Sequence, residues 1–223
     1  ARLLEGRLKN HPLPLKLCYV GDVLIAKNHE LYADRQSTQV GLEIIGEINE
    51  ESNFEVVKMT LEALMQLGLE DLLIEFSLPK FAKILIEDLF DNSNESLITA
   101  ISKKDLSAIK NLAGVHANLI TQIALTSNDI NMLASQIITT TKSQKIIAEV
   151  ERAKKISTYI KNYFEGVELS FDLFGDCDSY HEDIAFNIFT KDFSYPIAKG
   201  GRYRINDLEA VGATIYMNYL RKI

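Results

Sequence analysis

The hydrophobic rhythm of the chain changes twice. In residues 15–47, Leu17, Tyr19, Val23 and Ile25 alternate with Cys18, Asp22 and Leu24, and after a polar loop a second apolar run resumes over residues 40–46. Period-two patterning on both sides of a polar loop predicts an antiparallel strand–loop–strand. Period 3.6 then takes over. A helix is expected over residues 54–67, with Asn53 as N-cap, Val57, Leu61, Leu64 and Met65 on one face, and Gly68 as its stop. Residues 71–76 read as a buried strand, and Pro79 opens a further helix through Phe90.

Residues 92–164 are helical in pattern throughout. Ser102 with Asp105, and Thr126 with Asp129, have the spacing at which a hydroxyl and a carboxylate satisfy the free amides of a first helical turn. The last helix, over residues 143–164, carries Ile146, Ile147, Val150, Ala153, Ile156, Ile160 and Phe164 on one stripe, suited to a core or to a partner helix. Strand patterning returns at 167–173, 184–190 and 211–217. The fold class is therefore α+β, an antiparallel sheet with flanking helices, built from residues 1–91 and 165–223 around a helical insertion over 92–164.

Composition narrows the function classes. The 223 residues are 47% apolar and 25% charged, enough for one sizeable core. No run reaches the roughly 18 apolar residues of a membrane span, so a cytoplasmic location without membrane partners is expected. Cys18 and Cys177 stand far apart with no CxxC pattern, as two free thiols would. The net charge is −7, and Arg152, Lys154 and Lys155 form the one basic cluster, inside a helical pattern. Phosphate backbones reward clustered cations, so nucleic acid is not the expected partner.

The richest stretch for chemistry spans residues 170–204. It reads as two apolar strands separated by a polar Tyr180-His181 step and closed by Gly200-Gly201-Arg202-Tyr203. The paired glycines, flanked by Lys199 and Arg202, fit either a pocket wall that backbone approaches closely or a tight turn. Asp172, Asp176, Asp178, Glu182 and Asp183 crowd the same region, where they would repel a triphosphate. Gln39 and Glu43 lie four apart on one side of a predicted strand, able to present an amide and a carboxylate to one ligand or to water. His11, His29, His116 and His181 are dispersed without metal-ligand spacing, and no nucleotide-binding glycine loop is present, so no metal and no cofactor is expected.

Taken together, the residue runs PLKLCYVGDVLIAK and RQSTQVGLEIIGE, then SYHEDIAFNIF, GGRYR and AVGATIYMNYL, resemble in order and spacing the catalytic domain of histidyl-tRNA synthetase, a class II synthetase. They resemble more closely its paralogue family, the regulatory subunits of ATP phosphoribosyltransferase. The resemblance implies a class II synthetase-like fold whose first motif lies upstream of Ala1. It implies a histidine site at Gln39, Glu43, Tyr180 and His181, walled by Gly200, Gly201, Arg202 and Tyr203. Three synthetase arginines are replaced, by Ile25, Asp176 and Tyr219, so adenylate formation is not expected; losing cations that neutralise developing phosphate charge costs several kcal/mol each. The implied role is a non-catalytic subunit that binds the short form of the phosphoribosyltransferase, self-associates, and carries histidine feedback in the first step of histidine biosynthesis. A divergent synthetase fragment and a ligand-free dimerisation scaffold are the alternatives.

Overall fold

The computed structural model describes residues 2–24, 36–46, 48–90, 94–125, 130–141, 143–175 and 181–220. The expected N-cap pair Thr126 and Asp129, together with Ile25, Asp176, Cys177, Asp178 and Tyr180, lies outside the described residues. The chain divides into two units, residues 1–72 with 187–223 and residues 73–186.

The first unit holds α1 (Arg2–Glu5), β1 (Leu15–Leu24), β2 (Gln36–Ile45), α2 (Glu50–Gln66), most of β5 (Ala185–Thr190), β6 (Phe193–Ile205), β7 (Leu208–Tyr216) and α9 (Met217–Leu220). Strands β1, β2, β7 and β6 pair antiparallel in that order. The two predicted strands are thus present as β1 and β2, and the polar loop between them lies outside the described residues. Gly200 and Gly201 do not form a turn; they sit inside the thirteen-residue β6, a strand the apolar pattern did not reveal because Lys199, the two glycines and Arg202 interrupt it. The reversal comes later, at Asn206, whose φ of 53° is the left-handed conformation asparagine tolerates.

Helix α2 starts four residues before the expected position. Its N-cap is Asn49, which accepts from the Ser52 amide at 2.9 Å, while Ser52 bonds back to the Asn49 amide. This reciprocal pairing satisfies two of the otherwise free N-terminal donors. Asn53, the expected cap, is buried within the helix instead. Gly68, at φ 90°, ends the helix as expected, since only glycine takes this conformation at no cost. Val56, Val57, Leu61 and Leu64 are fully buried on one side of α2.

The second unit holds most of β3 (Leu72–Ser77), then α3 (Phe81–Phe90), α4 (Glu95–Ser102), α5 (Leu106–Leu112), α6 (Ala117–Leu125), α7 (Ile130–Thr140), α8 (Gln144–Tyr163), β4 (Glu168–Asp172) and the start of β5. β3 and β4 pair in parallel. Phe76 packs between Phe171 and Phe186, each ring centroid 6.0 Å away. The α8 stripe of Ile146, Val150, Ala153, Ile156 and Ile160 is buried, the core option of its two readings. Asp105 caps α5 by accepting from the Ala108 amide at 3.0 Å, whereas Ser102 bonds back to the Thr99 carbonyl and takes no part in the cap.

Candidate ligand-binding face of the first unit

Side chains alternate across a strand, so register decides which residues share a face. On one face of the first unit the pairing sets four rows: Gly21, Gln39 and Tyr216; Tyr19, Gly41, Thr214 and Lys199; Leu17, Glu43, Gly212 and Gly201; Leu15, Ile45, Ala210 and Tyr203. The last row is covered, because Leu15, Ile45 and Ala210 form an apolar cluster with Leu4 and Leu8 from the N-terminal segment. The opposite face carries α2, as the Lys16–Glu55 ion pair at 2.6 Å and the bond from Arg202 Nη2 to the Ile48 carbonyl mark.

This splits the sequence candidates. Gln39, Glu43 and Gly201 share the face away from α2, and Lys199 joins them. Gly200 and Arg202 lie on the α2 face, where Arg202 donates to Glu209 Oε2 at 2.7 Å. His181 belongs to the second unit, just before β5, and Tyr180 lies outside the described residues.

Glycine content shapes the shared face. A β-carbon on Gly212 would stand 2.8 Å from the Leu42 carbonyl oxygen and 2.9 Å from Glu43 Cγ, so the Glu43 stem leans across β7. A β-carbon on Gly41 would stand 2.1 Å from Tyr19 Cε1, so the Tyr19 ring lies flat over β2. Its hydroxyl reaches Thr214 Oγ1 at 3.0 Å, one strand further on. Tyr19 and Thr214 were not singled out from sequence. The signal that finds them is the pairing of an aromatic with a glycine across two strands, which needs the register.

Beside Gln39, Tyr216 opens a cluster of aromatic rings. Tyr219 lies 5.6 Å from Tyr216, 5.1 Å from Phe193 and 6.4 Å from Tyr195 by ring centroid. Preceding it, Asn218 accepts from the Thr38 amide at 3.0 Å and donates to the Gln36 carbonyl at 2.9 Å, fastening α9 to β2.

In the second unit the three crowded acids among the described residues are paired. Asp172 meets Lys104 at 2.7 Å, Glu182 meets Lys80 at 3.9 Å, and Asp183 accepts from Arg152, which also meets Glu149 at 3.4 Å. Burial, the largest influence, pushes the Glu149 carboxyl above its ordinary value; Arg152 opposes this and Asp183 adds to it. Among the described residues no cluster of histidine, cysteine and carboxylate side chains suits a metal ion. No described helix is long and apolar enough to cross a membrane.

The chain is similar to known proteins. The ATP phosphoribosyltransferase regulatory subunit of Thermoanaerobacter sp. (strain X514) is 32% identical over 215 residues, which cover 91% of this chain and 55% of that protein. The regulatory subunit of Gluconobacter oxydans is 26% identical over 217 residues, covering 96% of this chain and 57% of the relative. The chain therefore spans a little over half the length of these relatives. Among solved structures, an ATP phosphoribosyltransferase regulatory subunit/histidyl-tRNA synthetase from Bacillus halodurans matches with a TM-score of 0.84 at 20% identity, over 99% of this chain and 61% of the other. A chain of the ATP phosphoribosyl transferase (HisG:HisZ) complex from Thermotoga maritima matches with a TM-score of 0.75 at 18% identity, over 97% of this chain and 78% of the other. These likenesses show the class II synthetase-like fold. The histidyl-tRNA synthetase family matches residues 1–220, nearly the whole sequence, and the chain belongs to that family.

Proposed function

We propose that this chain is the synthetase-like part of a regulatory subunit of ATP phosphoribosyltransferase, which binds a short catalytic subunit and signals histidine levels to it without catalysing a reaction itself. The observation that carries the reading is the face holding Gln39, Glu43 and Lys199 around Gly41, Gly201 and Gly212. A free amino acid offers an ammonium, a carboxylate and, in histidine, a ring with one donor and one acceptor. Glu43 suits the ammonium, Lys199 the carboxylate and the Gln39 amide the ring. The names of the relatives supply the partner and the pathway, and a cytoplasmic location goes with both.

Absence of adenylation is part of the same proposal. At Tyr219, where the resemblance implies a nucleotide-holding arginine, the side chain joins the ring cluster of Phe193, Tyr195 and Tyr216. Such a position supplies no cation to a developing phosphate charge. Regulation then follows from differential affinity: histidine acts only if it binds two quaternary states unequally, typically by about 1–3 kcal/mol.

The test is reconstitution. Full-length protein added to the short catalytic subunit is expected to raise its rate and to confer histidine inhibition. An unchanged rate and unchanged histidine sensitivity defeats the reading. Histidine-dependent ATP–pyrophosphate exchange by the protein alone would instead establish a divergent synthetase.

A further inference from the structure

Within that reading, we infer that Tyr19 determines which ligands the face accepts. Gln39 and Glu43 are four residues apart on β2, so their Cα atoms are separated by roughly 14 Å along the strand. The Tyr19 ring occupies the middle of that gap, over Gly41, and its hydroxyl bond to Thr214 spans β1 to β7. A molecule as small as an amino acid cannot touch both Gln39 and Glu43 without lying against this ring. The ring therefore forms the plane on which the ligand rests. It offers its π-face to a cation or to the edge of a second aromatic ring.

Three observations make the position of the ring specific. Gly41 is the residue on β2 whose missing side chain admits it, since any β-carbon there would collide with Cε1, Cζ and Oη at 2.1, 2.3 and 2.6 Å. Thr214 fixes its far end. Gly21, the next residue on the same face of β1, has no atom of the described residues within 4 Å of where its β-carbon would be, so none of them pushes the ring aside from that side. Together these set the depth of the site. Removing the ring lowers the floor to the backbone of Gly41 and makes room for a larger head group.

Calorimetric titration of the full-length protein with histidine and with tryptophan tests this, on wild type, Tyr19→Phe and Tyr19→Ala. Wild type is expected to favour histidine, Tyr19→Ala to move the histidine-to-tryptophan affinity ratio toward tryptophan by about tenfold, and Tyr19→Phe to keep the ratio, since the ring stays. Tyr19→Leu replaces the alanine variant if that one fails to fold. A ratio changed less than threefold in either truncated variant overturns the inference while leaving histidine sensing intact. Histidine or tryptophan binding that appears only after truncation supports the inference but sinks histidine sensing by the native protein. No binding to any variant overturns both.

Discussion

Arg152 of α8 donates to the carboxylate of Asp183, two residues before β5, and to the Asp183 backbone carbonyl at 3.4 Å. Both side chains are about four-fifths buried. Removing one partner leaves the other charge poorly solvated, so Arg152→Ala is expected to cost about 2–3 kcal/mol in urea-induced unfolding. Arg152→Lys, which keeps the charge but not the planar fork, should recover only part of it.

Glu149 shares Arg152 and gives a pH signature. Its folded carboxyl has a raised pKa, mainly from burial, so between its ordinary value of 4.5 and the raised value the folded state holds more protons than the unfolded one. Stability from this group is fully present below pH 4.5 and is lost as pH rises through the folded value. Lys80 and Asp183 are the other charges acting on it. Glu149→Gln carries no such titration, so its stability relative to wild type should improve between pH 4 and pH 7. A constant difference across that range in chemical denaturation contradicts the assignment.

Gly41 and Tyr19 should be strongly coupled. Gly41→Ala places a methyl in the ring's space and is expected to cost about 2 kcal/mol, by the usual penalty of overpacking. In a Tyr19→Ala background the same substitution should be nearly neutral. A double-mutant cycle by thermal unfolding measures the difference, and additive effects would show that the ring does not lie over Gly41.

Asn49→Ala is expected to destabilise the protein by about 1 kcal/mol, since it strips the amide acceptor from the first turn of α2. Asn53→Ala reports on packing instead, because Asn53 is buried on the helix.

How far the sequence could be read follows from the range of each interaction. Local signals placed β1, β2 and α8 well, because alternation and a period of 3.6 are properties of neighbouring residues. The α2 start was misplaced because Asn49 and Asn53 are both plausible caps, and only the Ser52 side chain, reaching back, favours the first. β6 escaped because its middle, Lys199 to Arg202, is chosen for what lies across the sheet and lacks strand propensity. The candidate face shows the same division. Gln39 and Glu43 could be put on one side from spacing alone, but separating Gly201 from Gly200 and Arg202 required the pairing of β6 with β7. Tyr19 was legible as a strand residue and silent as a neighbour of Thr214, 195 positions away.

The alternation along β6 also limits how this site can change over time. Insertion or deletion of one residue between Phe193 and Lys199 would exchange the two faces of everything that follows, carrying Arg202 over the glycine floor and Lys199 toward α2. The side that carries Glu43 would then face a guanidinium, and Glu209 would lose both Arg202 and Arg204 as partners. Substitutions can retune this surface one position at a time, whereas a change in strand length inverts its charge in a single step.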